Sequence, residues 1–202
     1  MTLGRVSAIL GAVGALITIV VLAVFVVPRS AVAGGVTIVT DGEPLRCEGT
    51  EVVLSEADDS DSFRMPLAVM KPEMDCRLRF FVVNDSGNDV TIDRITMPGL
   101  GPGGGSGAEI THLNPTYNSS SDLLPDSAGA TWIVDDELVA GDRRYYEFFV
   151  AFRPDGCTSP GASIGFNSWP ELSVSFRTME VPIAASTIGV GFLGTEFSSC
   201  DG

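Results

Sequence analysis

A run of twenty uncharged residues from Ala8 to Val27, AILGAVGALITIVVLAVFVV, constrains this chain more than any other feature, and Thr18 is its only polar side chain. At ~1.5 Å per residue a helix of that length covers ~30 Å, the thickness of a bilayer core. Backbone groups in lipid must satisfy one another, so the segment is expected to be helical despite its β-branched residues. Residues 8–28 therefore read as a transmembrane helix closed by Pro28 and Arg29, after a short cytoplasmic N-terminus, residues 1–7.

Arg5 favours an N-terminus inside, and Arg29 opposes it with a single charge. The cysteines decide the orientation. All four (Cys47, Cys76, Cys157 and Cys200) follow the apolar run, as suits an oxidising outside. The expected location is the cell membrane, single-pass, with the C-terminal domain outside. The competing expectation is secretion after cleavage following Ala33, because Ala31-Val32-Ala33 places small residues before Gly34 as a signal peptidase requires. The apolar run exceeds the ~7–15 residues of a signal core, which favours an uncleaved anchor. Ser7, Gly11 and Ala15 fall four apart, a stripe that suits helix–helix pairing but is also ordinary in membrane helices.

Charge separates the two parts of the chain. There are 26 acids and 12 bases in all; residues 1–33 hold no acid and only Arg5 and Arg29, leaving 26 acids against 10 bases beyond them. That balance argues against nucleic acid and against docking on anionic lipid, both of which need clustered Lys and Arg. It fits plain solubility, a basic partner or cation binding. Lys71 is the only lysine beside eleven arginines, a usage found in high-GC bacteria and in salt-adapted archaea alike.

After a linker at residues 29–35 the periodicity changes to two. Cys76, Leu78, Phe80 and Val82 alternate with Arg77, Arg79 and Phe81; Tyr146, Phe148, Val150 and Phe152 share one face; Leu172, Val174 and Phe176, then Ile188, Val190 and Phe192, do the same. These are half-buried strands. Further strands are expected near 36–40, 50–54, 64–70, 89–96, 130–134 and 180–184. No amphipathic helix is evident after residue 30, and eight to ten short strands between Gly- and Pro-rich turns imply an all-β sandwich over residues 36–202.

Asn84-Asp85-Ser86-Gly87-Asn88 between two strands is hairpin chemistry, and Leu138-Val139-Ala140-Gly141 turns into the aromatic strand 144–153. Over about 75–155 this layout resembles bacterial extracytoplasmic immunoglobulin-like or fibronectin-type β-sandwich domain proteins with an N-terminal membrane anchor. The resemblance implies an immunoglobulin-like antiparallel β-sandwich preceded by one transmembrane helix, and an adhesive, spacing or assembly role. The Cys…Trp…Cys spacing of antibody domains is absent.

Four cysteines allow three pairings. Tracing strands up and down brings Cys47 and Cys76 to one end of the fold, and Cys157 and Cys200 likewise; the expected bridges are Cys47–Cys76 and Cys157–Cys200. No two cysteines are closer than 29 residues, which gives a CxxC redox or metal site no support.

Reaction chemistry finds little purchase. His112 is the only histidine, no G-x-S-x-G is present, and a lone histidine in a Gly/Asn/Pro context is ordinarily a surface residue. The Gly-rich 99–107 lacks a Gly-Lys-Ser/Thr and opens no helix, so it implies no phosphate cradle. It begins a long loop, 98–129, whose length suits either a contact surface or a connector. His112 and Tyr117 there, with Trp169 before Pro170, are the candidate binding residues. Asp58, Asp59 and Asp61, with Asp135 and Asp136, are candidate Ca²⁺ ligands, against the plainer reading of solvated acidic turns. Met65, Met70 and Met74 suit core filling better than Cu(I), and Trp132 suits the core. No cofactor is expected and no enzymatic activity. The expected function is a membrane-tethered extracytoplasmic binding or structural module, its partners the lipid bilayer through residues 8–28 and another envelope or membrane protein. The alternative is an extracytoplasmic sensor or carrier of a small ligand or cation.

Overall fold

The computed structural model describes residues 15–20, 24, 26–40, 42–55, 64–104, 106–114, 128–166, 170–183 and 189–199. Helix α1 (Val27–Gly35) leads into β1 (Val36–Val39), β2 (Leu45–Glu48), β3 (Val52–Leu54), β4 (Pro66–Val69), β5 (Asp75–Asn84), β6 (Val90–Met97) and β7 (Ala108–Asn114). Then come β8 (Ala130–Leu138), β9 (Arg143–Phe152), β10 (Ser163–Phe166), β11 (Glu171–Phe176), β12 (Met179–Pro182) and β13 (Val190–Leu193). The chain is mostly β.

Three sheets form. The main sheet has the order β1-β5-β9-β7, with β2 also on β5; a second runs β12-β11-β6-β8; a third runs β10-β13-β4-β3. Among the described residues, the strand pairings are antiparallel except β13 with β4. The period-two pattern has the expected phase: Cys76, Leu78, Phe80 and Val82 are buried, as are Tyr146, Phe148 and Val150. Phe80 meets Tyr146 and Phe148 at ring distances of 5.5 Å, and Phe148 of the main sheet meets Trp132 of β8 at 5.1 Å. The main and second sheets therefore share a core, in which each fully buried large side chain contributes roughly 1.5–3 kcal/mol. Trp132, Met70 and Met74 belong to that core.

Asn84 locks the turn between β5 and β6; the two strands belong to different sheets, so the hairpin expected at residues 84–88 is instead a crossing from the main sheet to the second. Its Nδ2 donates to the carbonyls of Asn88 and Leu138 at 2.8 and 2.9 Å, and its Oδ1 accepts from the Ser86 hydroxyl at 2.7 Å. Gly87 supplies the positive φ, 72°, that the turn needs.

The Cys47–Cys76 bridge is present, though its geometry differs from the strand tracing that predicted it. Cys47 lies in β2, a strand the periodicity missed, and is the direct cross-strand partner of Cys76. Cys157 is also disulfide-bonded; Cys200 lies outside the described residues. Thr158 N donates to Ser198 O at 2.6 Å, so the chain next to Cys157 and the chain before Cys200 run side by side.

Two boundaries need correction. Residues 29–35 are not a linker: Val27–Gly35 is helical, with Pro28 in its first turn, where its fixed φ is compatible with a helix. Val26 before it is already in helical conformation, so the helix runs past Pro28, where an end was expected. The stretch 98–129 is not one loop, because residues 108–114 form β7 on the edge of the main sheet. Its alternation is broken by a register shift between Ile110 and His112, which hid it. The short strand β10 was missed as well. Among the described residues no helix is long and apolar enough to cross a membrane; most of the expected span 8–28, with Ser7 and Gly11, lies outside them, and Ala15 is exposed in a helical stretch at 15–20.

Candidate functional site

The outward phase of the strands carries an unusual set of side chains. An exposed antiparallel sheet face is ordinarily polar. On β5 the outward residues are Asp75, Arg77, Arg79, Phe81 and Val83; on β9 they are Arg143, Tyr145, Glu147, Phe149 and Ala151. Register sets Phe81 opposite Tyr145, Arg79 opposite Glu147, and Arg77 opposite Phe149. His112 of β7 stands opposite Phe149 on the other side, and Arg46 of β2 opposite Arg77.

The result is a strip of alternating cations and rings. The Arg143 guanidinium lies 5.3 Å from the Phe81 ring, and Phe81 lies 5.3 Å from Tyr145. Arg79 Nε donates to the Tyr145 hydroxyl at 3.1 Å, and that hydroxyl donates to Glu147 Oε1 at 3.1 Å. Arg77 sits 5.3 Å from the Phe149 ring, which stacks on His112 at 3.9 Å and 14°. Burial first, then the Glu147 carboxylate, raises the Tyr145 pKa against the lowering effect of Arg79. Tyr145 thus stays a neutral donor well into alkaline solution. Each cation–π contact at a half-exposed site contributes ~0.5–1 kcal/mol, and the cross-strand pairs order the strip. Arg, Tyr and Phe are also the residues enriched in protein interfaces, where they supply large rigid contact area.

The second sheet presents a different outward face. Against β11, β6 bulges by one residue at Asp93, which turns both Asp93 and Arg94 outward; against β6, β8 carries an extra residue at Val134–Asp135. Asp135 takes a positive φ of 46° there, which aspartate tolerates better than most residues. Asp93 accepts from Ser175 Oγ at 2.9 Å, and Ser173 Oγ donates to Glu180 Oε1 at 3.1 Å. Arg94 lies 3.6 Å from the same Glu180 oxygen. These residues line an open groove of about 560 Å³ with Ile133 and Thr178. Its ion pair is exposed on both sides, so it adds little stability.

The residues singled out from sequence separate. His112 is in a strand rather than a loop, exposed, with Nδ1 3.1 Å from Thr111 Oγ1. Tyr117, Trp169, Asp58, Asp59 and Asp61 lie outside the described residues. Asp135 and Asp136 are in β8, not in a turn, and they are differently engaged. Asp136 Oδ2 accepts from the buried Tyr146 hydroxyl at 3.0 Å and lies 3.1 Å from Arg144 Nε. Among the described residues no group of three or more His, Cys, Asp or Glu is placed to hold a metal ion. The Gly-rich segment is held by Arg153, whose Nη1 donates to the carbonyls of Gly101 and Gly104. Asp155 in turn pairs with Arg153 Nε at 2.9 Å.

The Arg–aromatic strip occupies the outward phase of the same period-two pattern whose buried phase marks the strands. Its signal was present in that outward phase, where Arg77-x-Arg79-x-Phe81 and Arg143-x-Tyr145-x-Glu147-x-Phe149 stand in place of Ser, Thr or Lys. No protein-family model matches this chain, and no curated protein is similar to it in sequence.

Proposed function

We propose that this protein is a membrane-tethered, extracytoplasmic immunoglobulin-like β-sandwich that binds another envelope protein rather than transforming a substrate. The Arg–aromatic strip on the main sheet carries the reading. It is half-exposed, pre-ordered by its own cross-strand pairs, and cationic at its centre in a chain of net charge −14. Such a face suits a partner that offers carboxylates and apolar side chains. Oxidised Cys47, Cys76 and Cys157 support an extracytoplasmic setting, and the core shared by two antiparallel sheets supports the sandwich.

The test is affinity purification of the full chain from membranes of its own host, as wild type and as the double variant Arg77→Glu/Arg143→Glu. Both side chains are outward, so near-native thermal unfolding is expected of the variant. A partner recovered with wild type and lost at least about tenfold with the variant supports the reading. Equal recovery of every partner would refute it.

A second reading, a carrier of a small ligand or cation, is favoured by the polar groove between Asp93, Asp135 and Glu180. A thermal shift with Ca²⁺, Cu(I) or sugars that disappears in Asp93→Ala would support it.

A further inference from the structure

We infer that α1 is a built-in element of the β domain, so that anchor and domain form one rigid unit that is not released by cleavage after Ala33. The inference rests on the tether in the proposed function but is independent of the binding face.

Four contacts fasten the helix. Val32 is fully buried in the main core cluster, and Ala33 packs against that cluster. Arg29 Nη2 donates to the Glu180 carbonyl of β12 at 3.1 Å. The Gly35 carbonyl accepts from Asp85 N at 2.8 Å, in the turn between β5 and β6. Gly35 also packs so closely that a Cβ there would lie 2.5 Å from Ser86 Cα. No free residue separates helix from sheet: Val36, the first residue of β1, donates its N–H to Val32 O as the helix cap.

These contacts involve the residues a signal peptidase would need. Ala31-Val32-Ala33 is helical, with its middle residue closed inside the domain. A chain cut after Ala33 would lose Val32 from the core and Arg29 from β12. The nine residues from Val27 to Gly35 cover only ~13 Å as a helix. The domain therefore sits directly at the membrane surface, with the 84–88 turn and β12 at its proximal end.

Two adjacent glycines make the test. The full chain in detergent is compared as wild type, Gly35→Ala and Gly34→Ala, by thermal unfolding and by amide exchange of residues 27–35. At Gly34 an added Cβ meets nothing within 4 Å, whereas at Gly35 it meets the Ser86 backbone. Gly35→Ala is expected to lower Tm by about 5 °C and to speed exchange in α1 about tenfold. Gly34→Ala should match wild type or exceed it, since alanine favours helix. Intact mass of membrane-extracted protein should retain residues 1–33. Identical behaviour of the two alanine variants, or a mass beginning at Gly34, overturns the inference. Equal recovery of every partner by the Arg77→Glu/Arg143→Glu variant, with α1 still docked, would count against the binding face alone.

Discussion

Asp136 provides the sharpest separation between a metal ligand and a structural carboxylate. Its Oδ2 accepts from the Tyr146 hydroxyl at 3.0 Å, and Tyr146 is fully buried. Arg144 Nε stands 3.1 Å from the same oxygen, with the Asp136 side chain 10% exposed and that of Arg144 33% exposed. Replacing Asp136 by alanine takes the acceptor from a buried phenol, at a cost of ~1–3 kcal/mol. Arg144 reaches water and also donates to the Glu137 carbonyl at 3.3 Å, so losing its ion pair adds only ~0.5–1 kcal/mol. The expected total is ~2–4 kcal/mol, a Tm decrease of about 5–15 °C for a chain of this size. Asp136→Asn keeps an acceptor for Tyr146 and should cost less than half as much. Circular-dichroism melts of wild type, Asp136→Ala, Tyr146→Phe and the double variant should give a coupling of about 1–2 kcal/mol. Ca²⁺ should leave the wild-type melt unchanged, because the carboxylate is already committed to a hydroxyl and a guanidinium. A shift below about 1 °C for Asp136→Ala, or a Ca²⁺ stabilisation that this variant abolishes, would refute the argument.

Other outcomes follow from the same contacts. Replacing both Cys47 and Cys76 by alanine opens a bridge of sequence separation 29 and should destabilise by about 3–4 kcal/mol in the chain-entropy model, measurable by urea unfolding. Non-reducing peptide mapping should join Cys157 to Cys200, and a Cys47–Cys157 peptide would break the strand arrangement. Gly156→Ala places a Cβ 1.7 Å from the Ser106 carbonyl oxygen and should cost roughly 1–3 kcal/mol, with the loss of order concentrated in the Gly-rich segment. The hydrogen bond from Arg153 holds the Asp155 carboxyl below its ordinary value of 3.8. Its folded-state pKa is depressed, so its contribution is complete above the ordinary carboxylate range and is lost as pH falls through the lowered value. NMR titration should show Asp155 as an early-ionising carboxylate, and Arg153→Ala should return it to the ordinary range.

Much of this architecture was legible in the residues alone. Ten of the thirteen strands lie where alternation or turn chemistry put them, because a strand with one buried face must repeat at two and a hairpin must find residues that take positive φ. The apolar run, the oxidised cysteines and the Cys47–Cys76 pairing were equally readable. Three strands escaped. β2 and β10 are only four residues long, and β7 contains a register shift that breaks its alternation at Thr111. The part of α1 after Pro28 escaped because a proline at the end of an apolar run reads as a helix stop, whereas here the helix continues through it to Gly35.

The candidate site divides along the same line. Sequence determined which residues point outward on β5 and β9, since the phase of the buried residues sets the phase of the others. Only the tertiary structure decided that Arg77, Phe149 and His112 come from three different strands into one strip. That depends on cross-strand register, which hydrogen bonding between distant segments selects. Likewise, the sequence alone set Ala31-Val32-Ala33 beside a long apolar run, and the fold alone buried Val32. Side-chain size and local spacing make a cleavage motif; whether that motif is core or linker depends on what packs against it.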